Sequence, residues 1–264
     1  MELLNTGKRQ SGRYLNPNRL LFVARMLVLY LILISGKKHI LPPFLPFFSF
    51  LDIFREFSWL FPLIDWVYWI SLAAILMGFK FQKFSFILSI LIFFQILSSK
   101  GQYSTSFLYV GCMFFLIGLF QPGLEWTFRL QIALLYLGAG LNKLIDVDWL
   151  SGQYFENFII NVYPNSLNLT LASWVGERLF AQLISYMVIV FELILGLWAL
   201  SGKKQALLVF CIICFHLSVL IFTYGKLSFI YLYLMSITSL LVIPFSLEPN
   251  QVFSFIKGNM PIIK

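Results

Sequence analysis

Eight apolar runs, most of them long enough to cross a bilayer, constrain this chain more than any motif in it. A hydrocarbon core of about 30 Å needs about 20 apolar residues per helix, within a range of roughly 17 to 25. The runs are 19–35, 59–79, 84–98, 105–120, 126–144, 180–200, 205–223 and 228–245. The third and fourth are short, as tilted partners or a shielded hairpin would be. Lipid offers nothing to satisfy backbone N–H and C=O groups, so each run is expected to be helical. The expected fold is all-α: a polytopic membrane helical bundle of about eight transmembrane helices, with interfacial helices. Composition agrees, with 60% hydrophobic residues, 11% charged residues and 30 phenylalanines and a mean hydropathy of +0.87. A soluble domain carries about 25% charge. No internal repeat or low-complexity linker interrupts the runs. One transmembrane domain, 19–245, is expected between an N-terminal segment, 1–18, and a short C-terminal tail, 246–264.

The formal net charge of +8 is scattered over short loops. It reads as a topology signal, with membrane lipids rather than nucleic acid as partner. If both termini are cytoplasmic, that side also holds Lys80, Lys83, Arg129, Lys203, Lys204, Lys257 and Lys264. The other side holds Lys37, Lys38, Arg55, Lys100, Arg178, Lys226 and, at its boundary, Lys143. The bias favours an integral, multi-pass membrane protein with cytoplasmic N- and C-termini. The first apolar run follows Lys8, Arg9, Arg13 and Arg19. It leads into Lys37-Lys38 without a small-x-small cleavage site, so a retained span is expected. Cys112, Cys211 and Cys214 all lie inside apolar runs. The C-x-x-C spacing of the last two, mid-span and away from both histidines, suits packing residues better than redox or zinc chemistry. No metal site is expected.

Two connections are long. Residues 36–58 carry Pro42, Pro43 and Pro46 and then FFSFLDIFREF, which puts aromatics on one face and Asp52, Arg55 and Glu56 on another, as an interfacial helix would. Residues 145–179 hold an Asp-x-Asp-Trp cluster, an expected helix around 154–162, a Pro164-Asn165 turn and Trp174. Loops of that length are often functional.

Ionisable residues inside spans are costly, so each raises a functional question. On the fifth span Arg129, Ala133, Tyr136, Gly140 and Lys143 share one helix face. Gly138 and Gly140 permit close approach of a neighbour or a ligand. Lys143 can snorkel to the interface as an anchor. Alternatively, burial can favour its neutral amine and make it a base. Asp146, three residues on, would oppose that by favouring the charged form. On the sixth span Gln182, Ser185, Glu192 and Gly196 form one stripe. Glu192 must find a partner there, with Arg25, Arg129 or His216 as candidates, and can equally be a clamp between helices. His216, on the seventh span, is open to the same two readings. Asp65 and Tyr68 on the second span are weaker candidates. Glu192 and His216 are expected in one buried polar cluster, because an unpaired polar group in hydrocarbon costs several kcal/mol. No phosphate loop or nucleophile elbow occurs, and no hydrolytic triad can be assembled at a plausible depth.

The segment YLGAGLNKLIDVDWLSG, 136–152, resembles the signature of the vitamin K-dependent γ-carboxylase-like family, also called HTTM. There an Ala-Gly-x-x-Lys-Leu run leads to an Asp-Trp-x-x-Gly turn. The segment around Phe215-His216, with Gly225 and the aromatic last span, and the Arg25-containing first span follow in family order. The resemblance implies a membrane-embedded core with Lys143 as base and with Glu192 and His216 as further catalytic candidates. Tyr136, Gly140 and Trp149 would line a site for a lipophilic, quinone-type cofactor. It also implies an active site on the extracytoplasmic face that acts on a peptide or lipid substrate. Three departures point away from glutamate carboxylation itself. About twenty residues follow the last span, where the carboxylases have a large recognition region. No Asn-His pair precedes 105–120. Asn142 stands where the carboxylases have a second lysine. In size the chain is similar to short bacterial family members that help mature a secreted sporulation-delaying peptide. A non-catalytic partner for maturation, export or immunity of a small secreted peptide is therefore the alternative. A transporter, which would show broken spans in both halves, is third.

Overall fold

A computed structural model describes residues 17–34, 45–57, 59–121, 124–223, 235–239 and 242. Among these residues the chain is all-helical, with no strand. They divide into two compact units, Met1–Thr127 and Phe128–Lys264.

The first unit holds α1 (Pro17–Ile34), α2 (Leu60–Met77), α3 (Phe81–Ser98) and α4 (Thr105–Gly118). Pro17 opens α1, where a missing N–H costs nothing. Gly78 ends α2 at φ +78°, the left-handed position that glycine adopts without strain. Ser104 caps α4 by accepting the Phe107 N–H at 3.2 Å. Arg25 donates through Nε to the Leu76 carbonyl at 2.9 Å. That carbonyl lies in the last turn of α2, where acceptors lack intrahelical partners, so Arg25 is bound within this unit. Close approach of α3 and α4 depends on small residues. A Cβ at Gly118 would lie 2.6 Å from the Phe86 Cβ and 2.8 Å from its backbone nitrogen. The expected interfacial piece is a 3₁₀ helix, Ser49–Arg55. Leu51 is buried, Phe50 and Ile53 are exposed, and Arg55 pairs with Asp52 at 3.2 Å.

The second unit takes most of α5 (Glu125–Ile145). It continues through α6 (Val147–Leu150), α7 (Gln153–Phe155) running into a π-helix (Glu156–Val162), α8 (Ser166–Val175), α9 (Glu177–Ser201) and α10 (Gln205–Phe222). The helix expected around 154–162 is thus present. Residues 166–175, expected within the long connection, are helical. Asn165 after Pro164 is the start signal, since its Oδ1 accepts the Asn168 N–H at 2.8 Å.

Among the described residues, four helices are long and apolar enough to cross a membrane: α2, α3, α9 and α10. They coincide with the expected spans 59–79, 84–98, 180–200 and 205–223. The 14-residue α4 reaches only about 21 Å at 1.5 Å per residue, short of the hydrocarbon thickness. The 21-residue α5 has the length, but Glu125, Arg129 and Lys143 dilute its apolar content. The expected eighth span, 228–245, lies largely outside the described residues, as do the N-terminal segment and the C-terminal tail.

Candidate functional site

The stripe on α9 runs like a ladder against the chain from α5 to α6. Gln182 donates to the Leu150 carbonyl at 3.4 Å, and Ser185 donates to the Trp149 carbonyl. Glu192 meets Lys143, and Gly196 meets Leu137. Partners fall in sequence on α5–α6 as the stripe rises on α9, which is an antiparallel crossing. Two glycines set its depth. A Cβ at Gly196 would lie 2.6 Å from Leu137 Cγ and 2.9 Å from its backbone nitrogen, and one at Gly140 would lie 2.9 Å from Leu193 Cδ2. Only the absence of side chains at these positions allows the two backbones to approach.

That approach brings Lys143 and Glu192 together. The ammonium donates to both carboxylate oxygens, at 2.8 Å to Oε1 and 2.7 Å to Oε2. The Ala139 carbonyl lies at 3.5 Å, and the Trp149 ring centroid at 4.9 Å. Both side chains are largely removed from solvent, 18% and 10% exposed. The candidate partners of Glu192 from sequence were Arg25, Arg129 and His216. The structure supplies Lys143, because the glycine-set register of α5 and α9 places positions 143 and 192 at one level. Asp146 is exposed, and its carboxylate accepts the Asp148 N–H at 2.9 Å as the N-cap of α6.

A second polar network lies two turns along the same face of α5. Tyr136 Oη is 2.9 Å from His216 Nε2, and His216 Nδ1 is 2.8 Å from Ser236 Oγ. The two rings stack at 6.0 Å and 24°. His216 is 4% exposed and Glu192 8%. Both were expected in a buried polar cluster, and both are buried against polar partners that include a residue of α5: Lys143 for Glu192 and Tyr136 for His216. A neutral imidazole between two hydroxyls donates through one nitrogen and accepts through the other. Ser236 was not singled out from sequence, because nothing in an aromatic-rich run marks which hydroxyl faces His216.

The loop after α5 closes over the ion pair. Trp149 stacks on Tyr154 at 4.4 Å and 16° and meets Phe155 edge-on at 5.1 Å. Gly152, at φ +76°, lets α7 turn against α9. A Cβ there would lie 2.6 Å from the Gln182 backbone nitrogen. Burial raises the Tyr154 phenol above its ordinary pKa. Glu156 pairs with Arg178 across to α9. At the far end Asn165 and Asn168 both donate to the Phe222 carbonyl, at 3.2 Å and 2.7 Å. This is a terminal acceptor of α10 of the kind that needs an outside donor.

At the Gly140 face Leu193 fills the space a Cβ would need. Asp65 is half-buried and Tyr68 buried on α2 in the other unit. Among the described residues no group of three or more His, Cys, Asp or Glu side chains could hold a metal ion.

A family model for the HTTM domain matches residues 123–242, a stretch that contains every residue of the two networks. No curated protein matches the chain, and no solved structure matches it. The protein is therefore a membrane protein whose residues 123–242 are similar to the HTTM domain, with the Lys143–Glu192 pair inside that stretch.

Proposed function

We propose that this protein is a multi-pass membrane enzyme. Its Lys143–Glu192 pair would handle a proton at the extracytoplasmic edge of the bilayer, on a lipophilic molecule or a peptide held there. The observation that carries this reading is the pairing itself. A lysine amine becomes a base only after losing a proton, and Glu192, in contact with that amine, is the group positioned to receive it. Trp149, over the ammonium, limits access of water. The neighbouring Tyr136–His216–Ser236 line offers a second proton-carrying path on the same helix face.

A specific observation also supports the alternative, a non-catalytic membrane partner of a small secreted peptide. The Lys143 ammonium already has both oxygens of Glu192, the Ala139 carbonyl and an aromatic face around it, which is what an anchor between helices requires. One experiment separates the two. Cells lacking the gene are complemented with wild type, Lys143→Ala or Lys143→Arg, and their lipids and secreted peptides are compared by mass spectrometry. The catalytic reading expects a product lost in the deletion and restored only by wild type, since arginine keeps its proton at working pH. Full restoration by Lys143→Arg at normal protein levels overturns the catalytic reading and leaves the partner reading. No product change in the deletion overturns the catalytic reading and, of the partner roles, leaves only immunity.

A further inference from the structure

A hollow of about 210 Å³ sits on the loop between α5 and α8, lined by Asp148, Gln153, Tyr154, Asn157, Phe158 and Val162. We propose that it binds one basic side chain, arginine or lysine, of a peptide presented at the membrane surface. The inference does not depend on Lys143 acting as a base.

Charge is the first argument. Asp148 is the one acidic residue lining the hollow. Asp146 and Glu156, its acidic neighbours, are committed to the α6 cap and to Arg178. Among the described residues Asp148 forms no ion pair. An open acidic group in a chain of net charge +8 selects for a cation. Aromatic surface is the second argument. Tyr154 and Phe158 lie parallel, 6.1 Å apart at 5°. Ring faces attract cations, guanidinium most readily, and accept the aliphatic stem of arginine or lysine. Burial pushes the Tyr154 phenol pKa up, which disfavours a second negative charge there.

The amides decide between a peptide and a lipid headgroup. Gln153 and Asn157 are exposed, one helical turn apart on the same wall. Carboxamides both donate and accept, which suits the N–H and C=O of a peptide backbone. A phosphocholine headgroup offers them acceptors but no N–H donor, so it would satisfy only half of their capacity. The wall is also rigid on its inner side, because Tyr154 stacks on Trp149 and Phe155 packs edge-on against both.

The test uses the full chain in an uncharged detergent, with N-acetyl-arginine methyl ester as probe and saturation-transfer NMR as readout. N-acetyl-citrulline methyl ester is the isosteric neutral control, and phosphocholine represents the lipid headgroup. The expected result is arginine binding with a Kd on the order of 1 mM. Citrulline should bind about fivefold more weakly, and Asp148→Asn should weaken arginine by a similar factor. Equal binding of arginine and citrulline esters to wild type overturns the proposal without recourse to any variant. So does unchanged arginine binding to a folded Asp148→Asn protein. Absence of arginine transfer overturns it as well, and phosphocholine binding in its place would assign the hollow to lipid.

Discussion

Lys143 and Glu192 each occupy a position that neither could hold alone. Removing one partner of a buried pair leaves an uncompensated charge and costs about 3–5 kcal/mol, whereas replacing both by apolar residues is often near neutral. Lys143→Met and Glu192→Met should therefore each lower the thermal midpoint of the purified protein, while the double variant recovers most of the loss. Additive losses in the double variant would show that the pair is not energetically coupled. The need for a partner was legible in the sequence, because a carboxylate inside FELILGLWAL cannot stand unpaired. Its identity was not. Arg25 is taken up by the Leu76 carbonyl in its own unit. His216 is taken up by Tyr136 and Ser236. Hydropathy reports neither commitment.

Among the elements, the α5–α9 crossing decides where the site can form. Its register was written in small residues more than in large ones. The stripe of Gln182, Ser185, Glu192 and Gly196 was readable from helical spacing, and all four positions contact the α5–α6 segment. The loop was harder to read. A Pro-Asn step before Ser166 hides a ten-residue helix behind what looks like a turn, since local sequence does not say how far a capped start will propagate. Gly196→Val should push α5 and α9 apart, costing about 1–3 kcal/mol from overpacking and lowering yield and thermal midpoint. Gly152→Ala adds a Cβ against the Gln182 backbone at a positive φ and should disorder the Trp149 cover. A loss of protection of Lys143 from amine-directed acylation would report this. Unchanged acylation would mean that Gly152 does not set the cover.

For the whole molecule, the membrane class was legible in the length and composition of the apolar runs, and the all-helical fold follows from it. The proposed orientation is open to direct measurement. With Cys112, Cys211 and Cys214 replaced by serine, single cysteines at Ser151 and Gln205 should differ in intact cells, with an impermeant maleimide reaching only Ser151. Labelling at Gln205 alone would reverse the orientation and put the Trp149 cover in the cytoplasm. The segment between α5 and α9 has a further property. It is fastened to α9 near its beginning through the Trp149 carbonyl. Near its end it is fastened to α10 through two asparagine amides that converge on one acceptor, Phe222. A stretch held at both ends cannot fray from either. Its amide hydrogens should exchange with deuterium together, in one cooperative opening, and not in a gradient from a free tip. Cutting either tether would convert that single opening into a graded one.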